Sequence, residues 1–238
     1  MNLRHILTFI ISSSLFLLSF TAFSQEENSN SKSDTLDIEQ KYGIRVGLDI
    51  SKPIITMFNA DKKGLQVVAD YRIRPNLYIA GEFGYDDHTR EEDYLNFTTK
   101  GFYGTIGLNY NVYENWLDMN NEIFFGFRYG YARFSQTLNS YTVYQFGEYF
   151  PEETVTNPIE FDNLDAHWGA LVAGIKVETF NNLFLGASVS VEKLFSSKQP
   201  ENFRNLFIPG FERVYANDTG ITFNYTISYV IPFYKKRK

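Results

Sequence analysis

Residues 221–233 read ITFNYTISYVIPF, and as far as Ile231 every second position is apolar. The apolar set is Ile221, Phe223, Tyr225, Ile227, Tyr229 and Ile231; Thr222, Asn224, Thr226 and Ser228 stand between them. Successive side chains of a β-strand point to opposite faces, so this period of two gives one apolar face and one small, polar face. On a helix the same residues would scatter round every side. The stretch is predicted to be a strand.

Seven more such strips precede it. Alternate positions are apolar, aromatic or glycine over 42–50, 65–73, 77–85, 102–112, 123–131, 171–177 and 183–191. None of the eight strips carries a charge. The intervening positions carry acids (Asp49, Asp70, Glu82, Glu122, Glu178, Glu192), bases (Arg45, Arg72, Arg128, Lys176) and many glycines. A water-soluble barrel would turn the apolar strip inward. Glycine on a solvated strand face weakens the strand for no return, whereas inside a narrow barrel it lets the opposite wall fit. The apolar strip is therefore expected to face lipid, with tyrosines such as Tyr42, Tyr71, Tyr85, Tyr110 and Tyr129 near the interfaces.

The connections alternate in length. Short turns are predicted at Arg74-Pro75-Asn76 and Phe180-Asn181-Asn182, and an intermediate one at 114–120. Longer loops are predicted at 52–61, 86–96, 137–163 and 197–218. Long loops on one end and short turns on the other are the outer-membrane pattern. The expected fold is all-β: an eight-stranded antiparallel up-and-down transmembrane β-barrel over 42–234, with long extracellular loops and both termini periplasmic. The run Tyr141 to Phe146 alternates too, and predicts strand ends projecting beyond the membrane as a hairpin.

The start of the chain supports export. Arg4 and His5 precede an apolar run, Ile6–Phe20, and the small residues Ala22 and Ser24 follow. This is the layout of a signal peptide, predicted over 1–24; the apolar run is too short for a spanning helix, which needs about 20 residues. Cleavage removes one base and no acid, so the net charge moves from −6 to −7. An acidic chain is not expected to bind nucleic acid. With no cysteine, disulfides, thiolate chemistry and lipoprotein anchoring are excluded. Residues 25–41 are polar and read as a disordered periplasmic lead-in, and 235–238 (KKRK) as a basic periplasmic tail.

Over 41–234 these strips and turns resemble the small OmpA/OmpX-type outer-membrane barrels. The leader ending Ala22-Phe23-Ser24-Gln25 and the segment YGIRVGLDISKP (42–53) look like the Bacteroidota branch of that group. The alternating aromatics of 221–233 resemble the C-terminal strand read by the barrel-assembly machinery. The chain departs by continuing past Phe233 into Tyr234 and KKRK, and no peptidoglycan-binding domain is expected to follow. The resemblance implies architecture rather than activity.

Four features are candidates for chemistry. The inner charges form either an ion path or a salt-bridged plug, and with eight strands the plug is expected. His88 and His167 are the histidines left after processing. Asp86-Asp87-His88 superficially fits a rim protease, but a solvated acidic tip is the expected state; His167 is expected to pack near the aromatic girdle. Asp86, Asp87, Glu91, Glu92 and Asp93 are weak candidates for a divalent cation, with a spacing that matches no cation loop. The loop aromatics Tyr141, Tyr144, Phe146, Tyr149, Phe150, Phe203, Phe207, Phe211 and Tyr215 suit recognition of a partner or a cap over the barrel mouth. No cofactor and no catalytic residue are expected. The function expected is a non-enzymatic scaffold or binding module, an accessory subunit of a larger outer-membrane complex for assembly, secretion or uptake. Its partners would be outer-membrane lipid, lipopolysaccharide and other outer-membrane or periplasmic proteins. A rim-sited lipid- or peptide-modifying enzyme and a narrow pore are the alternatives.

Overall fold

The computed structural model describes residues 39–113, 120–143, 153–200 and 204–237, all within one compact unit, Asp37–Lys238. The predicted signal peptide (1–24) and most of the predicted lead-in lie outside the described residues. So do Tyr144, Phe146, Tyr149, Phe150, Phe203 and Lys238. The elements are β1 (Glu39–Asp49), α1 (Ser51–Phe58), β2 (Lys62–Arg74), β3 (Leu77–Glu92), β4 (Leu95–Asn111), β5 (Glu122–Val143), β6 (Glu153–Val155), β7 (Ile159–Phe180), β8 (Leu183–Ser197), β9 (Phe207–Ile208), β10 (Glu212–Arg213) and β11 (Thr219–Arg237).

The long strands pair antiparallel in an up-and-down order. β1 pairs with β2, β2 with β3, β3 with β4, β4 with β5, β5 with β7, β7 with β8, β8 with β11, and β11 with β1. Each of these eight strands thus has a hydrogen-bonded neighbour on both sides along part of its length. β6 adds to the end of β5, and β9 and β10 form a separate small hairpin.

Burial is inverted relative to a water-soluble sheet. Phe83, Ile106, Leu171 and Phe223 are 60–68% exposed, whereas Arg45, Asp70, Glu122 and Arg128 are at most 8% exposed. The outward apolar positions cover nine residues in strand after strand, as in Leu65–Ile73, Leu77–Tyr85 and Leu183–Val191.

Beyond that belt, toward the long loops, the alternation reverses. In β5 Ala132, Phe134 and Leu138 turn inward and are buried, while Arg133 is exposed. In β7 the same change puts Leu164, Ala166 and Trp168 inside. Ile208 and Phe211 of the hairpin loop complete this apolar core, with Phe211 edge-on to Trp168 at 5.9 Å. Two glycines make room for it. A Cβ on Gly130 would lie 2.1 Å from the Trp168 ring, and Gly210 turns the hairpin at φ +77° against Tyr103.

Several boundaries differ from the sequence expectation. Residues 39–41 pair with 235–237, so the edges of the predicted lead-in and basic tail are strand. Tyr42 is buried rather than outward, because a bulge at Tyr42/Gly43 shifts the register. Its ring lies 5.4 Å from the Arg72 guanidinium. The expected loop at 86–96 is almost entirely strand, with Asp93 and Tyr94 the turn between β3 and β4. The loop at 52–61 contains α1, whose Pro53 sits in the first turn, where a missing N–H costs nothing.

Candidate functional site

Two regions of the inner face hold the polar groups. The first lies toward the short turns. Arg45 on β1 stands opposite Asp70 on β2, and its Nε and Nη2 donate to that carboxylate at 2.8–3.0 Å. Nη2 also donates to Glu122 of β5 at 2.8 Å. Lys176 of β7 donates to Asp70 from across the interior. Four strands therefore meet in one ion-pair cluster, with the guanidinium held between the rings of Phe184 and Tyr78 at 4.7 and 5.6 Å. The spaces left beside the cluster are only about 30–40 Å³. Such a volume holds at most a water or two.

The other predicted inner charges do different work. Arg128 pairs with Glu82 at 3.6 Å. Asp49 accepts from Ser51 N, Ser51 Oγ and Tyr225 N, which ties the start of α1 to β11. Arg72 donates to the Pro75 carbonyl, and Glu178 accepts from Asn120 and from Asn182 N; both fasten short turns. Glu192 accepts from Thr222 at 3.2 Å, and its Oε2 is buried with no hydrogen-bond partner.

The second region is a cavity of about 400 Å³ above the ion-pair cluster. Gln66, Glu82, Thr105, Arg128 and Glu192 line its lower part; Lys52 of α1 and Gly210 and Glu212 of the hairpin line its upper part. Lys52 Nζ sits 2.6 Å from Asp86 Oδ1, 3.6 Å from Glu212 and 5.0 Å from the centre of the Tyr103 ring. Gly210 N donates to the other Asp86 oxygen at 3.0 Å, so one buried carboxylate holds both helix and hairpin in place. Burial raises the Glu212 carboxyl above its usual range despite Lys52.

Residues 6–236 match the family model described as Domain of unknown function (DUF6048). The chain belongs to this family. No curated protein matches it. The crystal structure of Ail, the attachment invasion locus protein of Yersinia pestis, aligns with 82% of the DUF6048 chain and 99% of its own. The identity is 12% and the TM-score 0.39, a likeness too distant to define either fold or role.

In this DUF6048 chain the rim candidates fall in unexpected places. His88 is not on a solvated tip: it is buried in β3, its ring 4.4 Å from that of Phe207 and its Nδ1 without a partner. Burial holds it down to about 4, so the imidazole is neutral at pH 7. Asp86 faces inward with His88, while Asp87 and Glu91 lie on the opposite face of the same strand. The weak cation candidates are thus divided between faces. Among the described residues no group of three or more His, Cys, Asp or Glu converges.

His167 points outward near the top of the belt. Its Nδ1 is 2.7 Å from Tyr129 Oη, its ring 4.9 Å from that of Tyr131, and its Nε2 3.7 Å from Asp165. Among the loop aromatics, Phe207 and Phe211 are buried and cannot meet a partner. Tyr141 is half-buried in β5 opposite Leu95, and Tyr215 alone of the described ones is largely exposed. Sequence reasoning missed α1 and its Lys52. The signal was present in Ser51-Lys52-Pro53, a polar residue followed by a proline at a helix start.

Proposed function

We propose that this DUF6048 protein is an integral outer-membrane protein, a closed eight-stranded transmembrane β-barrel of the OmpA/OmpX type that acts as a non-enzymatic binding and docking module. The observation that carries the reading is the inversion of burial. A belt of Phe, Ile, Leu and Tyr is exposed, while Arg45, Asp70, Glu122 and Arg128 are shut inside. In water such a belt would be an aggregation surface far above the few hundred Å² a soluble monomer tolerates. In a bilayer it is the required exterior. Its nine-residue height agrees with the about 9–11 residues that a tilted strand needs to cross.

Residues 1–24 would serve as the export signal, the long loops would face the cell exterior and both termini the periplasm. The ion-pair cluster argues against a pore, because Arg45, Asp70, Glu122 and Lys176 neutralise one another where a conducting path would run. Purification from native membranes in mild detergent tests the role. The protein should fractionate with the outer membrane and bring a reproducible partner with it. Recovery as a monomer alone contradicts the docking role.

A further inference from the structure

The wall is incomplete on one side. β1 pairs with β2 only over Ile44–Leu48, and with β11 only as far as Asp49–Thr226. Above that point β2 continues to Lys62 and β11 back to Thr219; among the described residues no strand pairs with either on the β1 side, and Tyr215 bridges to that edge only at Thr219. Helix α1 follows β1 at this level, anchored by Ile50 N to the Tyr225 carbonyl and by Asp49 to Tyr225 N. Bare strand edges do not face lipid, but they are tolerated where they border a water-filled cavity. A polar cavity borders the edges here. The 400 Å³ cavity is lined by Glu82, Arg128 and Glu192 of the interior and also by Ile221 and Phe223, whose side chains belong to the exposed belt.

From this we propose that the gap between β2 and β11 is a lateral portal, through which the cavity takes the anionic head of a single-chain membrane amphiphile while its tail stays in the bilayer. The inference rests on the membrane-embedded reading above. Three observations carry it. The axial routes are occupied, by the Arg45 cluster below and by the Phe211–Trp168 core above. The outer side of α1 is apolar: Ile54, Met57 and Phe58 are exposed, and the helix packs against β2 and β11, whose Leu65 and Phe223 are exposed too, so apolar surface for an alkyl chain is present at the gap. Finally, the cavity is polar: Lys52, Lys62, Arg90, Arg128 and Arg213 line it against Glu82, Glu192 and Glu212. Asp86 pairs its Lys52 and Glu92 its Arg213, which leaves Lys62 and Arg90 as its unpaired cations; among the described residues neither has a carboxylate within salt-bridge distance. Thr105 Oγ1 is a buried donor with no hydrogen-bond partner, and Arg128 Nε, 3.6 Å from Glu82, makes no hydrogen bond, so both can turn to anionic oxygens.

The test uses the full mature chain in lipid nanodiscs with three photoreactive probes, each carrying a diazirine on the alkyl chain: palmitate, lysophosphatidate and an alkyltrimethylammonium. Saturable labelling by the anionic probes, concentrated on α1, residues 62–66 and residues 221–225, is expected. The stronger of the two identifies the head as carboxylate or phosphate. A Lys62→Glu, Arg90→Glu variant should weaken that labelling about tenfold while its folded mobility on gels is unchanged. Even, unsaturable labelling around the belt overturns the portal and leaves the membrane reading standing. No labelling of the belt overturns the membrane reading itself. Equal saturable labelling by the cationic probe, or full competition by inorganic phosphate, overturns the anionic amphiphile.

Discussion

Arg45 and Asp70 stand opposite each other on neighbouring strands, joined by a two-nitrogen contact at 2.8–3.0 Å in a site that is nearly closed to solvent. Asp70 also receives the inward, partly buried Lys176, so one carboxylate holds two cations. Removing one partner from such a group leaves uncompensated charge. Asp70→Ala is expected to cost about 3–5 kcal/mol, read as a lower urea midpoint for unfolding in lipid vesicles.

The same cluster predicts electrical silence. Wild-type protein in planar bilayers should give no stable single-channel current. The triple variant Arg45→Ala, Glu122→Ala, Lys176→Ala removes the side chains that meet there and should give discrete openings. A large steady conductance from the wild type would remove the plug.

The belt was legible in the sequence because strand geometry imposes a period of two, and because no charge interrupts the strips. Ile221–Ile231 alone carries both features. The ends were less legible for physical reasons. At Tyr42 a bulge breaks the register, and a one-residue slip exchanges the faces. In the proposed membrane setting the surroundings change from lipid to water past Tyr131 and Tyr85, so the rule itself reverses. Asp86 and His88 then read as loop although they are inward strand residues, and Phe207 and Phe211, which suited either recognition or a cap, are buried. Of the inner charges, Arg45, Asp70, Glu122 and Lys176 converge, whereas Asp49, Arg72 and Glu178 fasten turns and a helix start. Alternation says which side a charge is on but not which partner it meets.

Depth in the bilayer gives a further prediction. Ile106 lies midway along the outward strip of β4 and is 62% exposed. Ile106→Arg should destabilise by about 2–4 kcal/mol, as expected for a cation at the bilayer midplane. Lys100→Arg, beyond the end of the strip, should be neutral. Unfolding titrations of the two variants in the same lipid make the comparison.

Phe211 fixes the hairpin of β9 and β10 against Trp168. Phe211→Ala should cost about 3–5 kcal/mol of local packing. The result should be new protease cleavage within 198–218 while the paired strands stay protected. Unchanged digestion would show that the cap is held by other contacts.

His88 gives a pH dependence with a defined sign. Its folded value, about 4, lies below the ordinary 6.5, so the unfolded chain takes up the proton first as pH falls. Its stabilising contribution is complete above about 6.5 and is lost as pH drops through about 4. The cap hairpin, which packs Phe207 on the ring, should loosen over that window. His88→Leu should flatten this limb in a protease-sensitivity profile against pH.

The central claim is that the exposed apolar strips face lipid, and the cysteine-free chain suits site-directed spin labelling. Single cysteines from 221 to 229, labelled in liposomes, should show collision with oxygen but not with a water-soluble nickel chelate at 221, 223, 225 and 227. Labels at 222, 224, 226 and 228 should be shielded from both. Chelate access at Phe223 and Tyr225 equal to that of an exposed loop site would place the belt in water and contradict the account.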